Sequence, residues 1–139
     1  MSRYVLDTNV LLHVVNRARG YELIEQRLAT SRQSKLAVSV ITVWEMFRMA
    51  EKAKVPTKAS QAALALLNSF RIMPMTKQAA ALGGQIHAAL ANKGQTIGER
   101  DSMIAGIALA HQCILVSDNV GELQRVPGLR LENWRALTA

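Results

Sequence analysis

The chain has 139 residues, half of them apolar and 19% charged, with 17 Lys and Arg against 10 Asp and Glu for a net charge of +7. That balance describes one compact domain (residues 1–139) and excludes a disordered chain, whose apolar content would be far lower. A single cysteine, Cys113, excludes an internal disulfide framework or a Cys-based zinc cluster, and no apolar run approaches the roughly 18 residues a spanning helix needs. The first hydrophobic stretch meets Asp7 too early for a signal peptide, so the expectation is a cytoplasmic protein of bacterial type without a membrane partner.

In chain order, Arg3 to Leu6 reads as a short strand ending at Asp7, Thr8 and Asn9, which are turn and N-cap residues ahead of an apolar helix over Val10 to Val15. A second helix is expected over Gly20 to Thr30. The β-branched run Leu36 to Val40 then leads into a helix over Thr42 to Lys54, closed by Pro56. Thr57 to Phe70 is rich in Ala and Leu and helical, Arg71 to Met73 is a short strand, and Thr76 to Asn92 is helical again. Gly94 and Gly98 bracket a loop before a helix over Glu99 to Gln112. Cys113 to Val116 is a buried type of strand, Ser117, Asp118 and Asn119 form a second strand-to-helix turn, and Gly128 to Leu131 is the last strand. Short apolar strands alternating with helices predict an α/β fold with a parallel sheet covered on both faces.

In such a sheet, ligands bind beyond the carboxyl ends of the strands. Asp7, Glu45, Glu99, Asp101 and Asp118 fall where one cleft could form, which is half of the acids in an otherwise basic chain. Taken singly, Asp7 and Asp118 suit N-caps, Asp101 suits a helix dipole, and Glu45 suits a surface pair with Arg48. Taken together, clustered carboxylates need compensation, and a hard divalent cation such as magnesium, or manganese in its place, is the economical one. One or two such ions support in-line displacement at a phosphodiester without a nucleophilic side chain. The basic balance suggests a polyanion such as nucleic acid, fits an acidic protein or a merely solvated basic surface as well, and, with the charges spread along the chain, any cationic surface must be assembled by folding. His13, His87 and His111 lack ligand spacing, no Gly-x-Ser-x-Gly or phosphate-binding glycine loop occurs, and Trp44 and Trp134 are expected chiefly as packing residues.

The segments bearing these acids resemble the PIN-domain ribonucleases, and within them the VapC toxins of bacterial VapBC toxin–antitoxin pairs. The resemblance rests on Tyr4-Val5-Leu6-Asp7-Thr8-Asn9-Val10, on Ser39-Val40-Ile41-Thr42-Val43-Trp44-Glu45, on Lys93 to Gly98 followed by Asp101-Ser102-Met103-Ile104-Ala105-Gly106, and on Arg125 to Trp134, which is similar to the enteric virulence-type branch. It implies a three-layer α/β/α domain and a magnesium- or manganese-dependent endoribonuclease. Asp7, Glu45, Asp101 and Asn119 would be the catalytic set and Asp7 and Asp101 the metal carboxylates. Thr8, Asn9, Ser117, Asp118 and Glu99 would support them, and Arg48, Lys52, Lys93 and Arg100 would hold RNA. The chain departs from the family at Ser117-Asp118-Asn119, where neutral Asn119 stands at the fourth acidic position and Asp118 lies one place early. Leu123, Glu99 and Arg100 also differ from common relatives and alter the cleft rim. The implied partners are an RNA substrate, with the anticodon stem-loop of initiator tRNA indicated by the enteric branch, a cognate VapB-type antitoxin, and a second copy in a homodimer. The Ala-rich helices around Thr57 to Leu66 or Ala79 to Leu90 would supply either the dimer surface or core faces. The alternative reading is a catalytically inactive PIN-like module that binds RNA or a partner. A phosphotransfer domain is a third, less favoured because Asn9 occupies the place of a second Asp.

Overall fold

A computed structural model describes residues 2–135. Five strands, β1 (Tyr4–Leu6), β2 (Leu36–Ser39), β3 (Arg71–Met73), β4 (Ile114–Val116) and β5 (Leu131–Glu132), form one all-parallel sheet in the order β3-β2-β1-β4-β5. Seven α-helices connect them: α1 (Thr8–Val15), α2 (Tyr21–Thr30), α3 (Val40–Glu51), α4 (Pro56–Leu67), α5 (Lys77–Asn92), α6 (Glu99–Ala110) and α7 (Val120–Leu123). The chain leaves β1 toward β2 on one side and returns to β4 on the other, so a crevice opens beyond the carboxyl ends of β1 and β4, the topological switch point of the sheet.

Both faces of the sheet are covered, which is why the strands read as continuous apolar runs. Leu6, Leu36, Val38 and Val116 face a core completed by Val10, Leu11, Ile24, Met46, Leu67 and Trp134. Val5, Ala37 and Leu115 face the opposite core with Ala79, Ile104, Ile107 and Leu123. The result is a three-layer α/β/α domain. Among the described residues, no helix is long and apolar enough to cross a membrane.

Two boundaries differ from the sequence reading, each for a local reason. Val40 and Ile41 were expected at the end of β2 or just past it, but α3 already begins at Val40 because the buried Ser39 hydroxyl accepts the Thr42 N–H at 3.2 Å. An N-cap hydrogen bond outweighs the β preference of two branched residues. The last strand starts at Leu131, after the turn at Gly128, whose φ of +78° is one an extended strand does not take.

Candidate functional site

Asp7 is the first residue beyond β1 and caps α1. Its Oδ1 accepts the Thr8 N–H at 2.7 Å, and its Oδ2 accepts the Ser117 hydroxyl at 2.8 Å across the β1–β4 crevice. Only 5% of Asp7 is exposed. Burial pushes its carboxyl up to about 6, helped by the negative charges of Asp101 and Glu45 and opposed by the hydrogen bonds from Ser117 and Thr8. Next along the chain, Thr8 Oγ1 lies 2.8 Å from Glu45 Oε1 and 2.9 Å from Thr42 Oγ1. A carboxylate only accepts, so the Thr8 hydroxyl donates to Glu45 and accepts a hydrogen bond from the Thr42 hydroxyl. Glu45, on the second turn of α3, is thereby held by one oxygen, while Arg100 Nη1 stands 3.7 Å from the other.

Asp101 enters from the first turn of α6, half-buried on the side of the buried residues Ile104, Ala105 and Ala108. The Asn119 amide donates to Asp101 Oδ2 at 3.1 Å and to Glu122 Oε2 at 3.4 Å. The Asp101 carboxyl is raised by burial first and then by Glu122 and Glu45, with the Asn119 hydrogen bond opposing. Four carboxylates, on β1–α1, α3, α6 and α7, thus act on one another at one edge of a basic molecule.

An open cleft of about 1050 Å³ exposes two of them, Glu45 and Asp101, and is lined as well by Thr8, Asn9, Glu99 and Arg100. Among the described residues, no group of three or more His, Cys, Asp or Glu is placed to hold a metal ion unaided. The donor set still fits a hard divalent cation. Such ions take one or two carboxylates and complete their shell with water and phosphate, and a positive charge here would relieve two carboxyl groups that burial and mutual repulsion have raised.

The PIN-domain family model matches residues 4–129, nearly the whole of the described chain. The chain belongs to the PIN-domain family. Within it the relatives are VapC proteins: it is 37% identical to Ribonuclease VapC2 of Haemophilus influenzae over 96% of this chain and 99% of that one. It is 33% identical, over the same shares, to the tRNA(fMet)-specific endonuclease VapC of Salmonella typhimurium. Among solved structures, DNA-bound VapBC from Salmonella typhimurium superposes with a TM-score of 0.87 at 33% identity, covering 96% of this chain and 99% of that chain.

In this PIN domain the residues singled out from sequence divide into three groups. Asp7, Thr8, Glu45, Asp101, Ser117 and Asn119 form one connected network, and Asn9, Glu99, Arg48 and Arg100 line the cleft around it. Asp118 does not join them. In the turn between β4 and α7, Asn119 reaches Asp101 on α6, whereas Asp118 turns toward α1, where His13 Nε2 lies 2.7 Å and Arg135 Nη1 3.0 Å from its Oδ2. There burial raises the Asp118 carboxyl, but the His13 and Arg135 hydrogen bonds and charges outweigh it and hold the group below the usual range. Lys52 and Lys93, expected to hold RNA, cap the carboxyl ends of α3 and α5 and are outside the cleft wall. Glu45 pairs with Thr8 and Arg100 rather than Arg48. Of the two tryptophans, Trp134 is buried against the edge of Tyr4, whereas Trp44, expected chiefly to pack, is 55% exposed at the cleft. Glu122 was missed; the signal for it was its position three residues after Asn119, one turn along a helix.

Proposed function

We propose that this chain is the toxin of a type II toxin–antitoxin pair, a divalent-metal-dependent endoribonuclease whose activity a VapB-type antitoxin restrains. The observation that carries this is the convergence of Asp7, Glu45, Asp101 and Glu122 at the switch point of the sheet in a chain of net charge +7. Paired acids within a cationic molecule suit a cation and a polyanion together, and the names of the VapC relatives supply the reaction class.

Asp7 and Asp101 would hold magnesium, or manganese in its place. When bound, the ion supplies positive charge to the reacting phosphodiester and acidifies an attacking water. The Thr8 N–H and the Ser117 hydroxyl fix the orientation of Asp7, and the Asn119 amide fixes that of Asp101. Glu45, with Oε1 tied to Thr8, presents Oε2 to take a proton at the cleft. Arg48 and Arg100 hold the phosphate backbone. Initiator tRNA, cut in its anticodon stem-loop, is the substrate we propose, on the strength of the Salmonella relative's name.

The test is cleavage of labelled initiator tRNA and bulk RNA by purified protein with magnesium or manganese, with EDTA, and by Asp101→Ala. The expected result is metal-dependent cutting, abolished by EDTA and reduced at least ~1,000-fold in the variant with its circular dichroism unchanged. Wild-type turnover by Asp101→Ala would overturn the site assignment. Intact RNA bound in a salt-sensitive way in every sample would establish the non-cutting module instead.

A further inference from the structure

Trp44 belongs to neither core. It is 55% exposed on the second turn of α3, adjoining Glu45 in sequence and forming part of the cleft wall. Two cations attend it. The Arg48 guanidinium carbon lies 5.1 Å from the ring centroid and that of Arg100 lies 5.9 Å away.

The two arginines are held differently. Arg48 is tucked in: its Nε is shielded from solvent and lacks a hydrogen-bond partner, leaving the guanidinium one bond short in the free protein. Arg100 is loose. Its distance to the indole is at the limit for cation–π attraction, its ion pair with Glu45 at 3.7 Å is too long for a hydrogen bond, and its side chain is 47% exposed. A displaceable cation over a flat, half-exposed aromatic ring, beside carboxylates suited to phosphate chemistry, matches a nucleotide, which joins a neutral planar base to an anionic phosphate. An acidic peptide fits less well, because it brings anions into a cleft lined by Glu45, Glu99 and Asp101 without the planar base that would cover the indole.

We propose that Trp44 is a base-stacking platform: an unpaired nucleobase flanking the cleaved phosphate lies on its indole in the place Arg100 occupies in the free protein, and Arg100 turns to the phosphate. This rests on the ribonuclease reading above. Because a paired base keeps its faces within the helical stack, the platform selects a single-stranded loop over a duplex, and stacking alone tolerates any base.

The test pairs enzyme variants with substrate variants. A stem-loop RNA that the wild-type protein cuts is compared with versions carrying one abasic nucleotide at each position flanking the cut, using wild type, Trp44→Leu and Trp44→Phe with magnesium. Wild type should lose about 10- to 100-fold in kcat/KM at one abasic position. Trp44→Leu should lose a similar factor on intact RNA and no more at that position, while Trp44→Phe keeps most of the activity and the abasic sensitivity. Full sensitivity to the abasic site in Trp44→Leu, or wild-type rates on intact RNA, would overturn the proposal while leaving the nuclease reading in place. Normal cutting by Trp44→Leu with weakened antitoxin binding would place Trp44 in a protein interface and overturn it too. If wild type cuts no RNA, both readings fall.

Discussion

Asp7 does two jobs that conflict. As an N-cap accepting two hydrogen bonds it would ordinarily ionise easily, yet burial and the nearby charges of Asp101 and Glu45 hold its carboxyl at about 6 against an ordinary 3.8. The folded state therefore binds this proton more tightly than the unfolded chain. Stability contributed by the proton is present below about pH 4, falls as pH rises, and is gone above about pH 6, a cost on the order of 3 kcal/mol at neutral pH without metal. Asp7→Asn keeps an N-cap acceptor and removes the charge. In EDTA at about pH 7.5 it should raise Tm by several degrees and flatten the fall of Tm between about pH 4 and 7, and with magnesium supplied it should fail to cleave the RNA that wild type cuts. Thermal melts across that range check this, and a variant less stable than wild type at the upper end would show that the carboxylate is satisfied as it stands. At this scale the sequence was informative about which acids gather and poor about which way side chains turn. Asp118 and Asn119 are adjacent in the turn after β4, where no periodicity says that one meets His13 and the other Asp101. Glu122 sits on a helix of four residues, too short to show a periodicity.

Elements matter here because α6 carries Asp101 and is positioned by α5. A Cβ on Gly106 would collide with the Ala79 carbonyl oxygen and come within 2.8 Å of the Gly83 nitrogen, both backbone atoms of α5. Rotamer changes cannot relieve that clash, so Gly106→Ala must push the helices apart. The expected cost is about 3 kcal/mol, seen as a lower midpoint in urea, with cleavage lost as Asp101 shifts. Gly84 lies one residue along α5 from the contact, and a Cβ there would meet nothing within 4 Å, so Gly84→Ala should be neutral or stabilise by up to ~1 kcal/mol through helix propensity. Equal effects of the two substitutions would mean that close approach is not what selects Gly106. This contact also assigns the α5 face bearing Ala79, Gly83 and Leu90 to the interior, one of the two uses its composition allowed. Strand and helix order was readable from alternating apolar runs and caps. The helix-packing role of Gly83 and Gly106 was not, because a glycine inside a helical pattern says that something approaches without saying what.

For the whole molecule, the net charge of +7 and the acidic edge work against each other until the acids are neutralised. Under the proposed function, cations far from the cleft raise the encounter rate, while those on its wall fix the phosphates, and salt separates the two. Each phosphate neutralised on a single strand contributes about 0.7 to the slope of log affinity against log salt. Arg48 and Arg100 line the cleft, so Arg48→Gln and Arg100→Gln together should lower that slope by about 1.4 for a short single-stranded RNA. Lys52 and Lys93, at helix ends outside the cleft wall, should leave it unchanged when replaced by Gln. Fluorescence anisotropy titrations from low to moderate salt, in EDTA so that nothing is cut, measure all the slopes in one series. If the lysine variants lose as much slope as the arginine variants, the phosphates are held by the general field of the surface, and the acidic cleft is not where the strand lies.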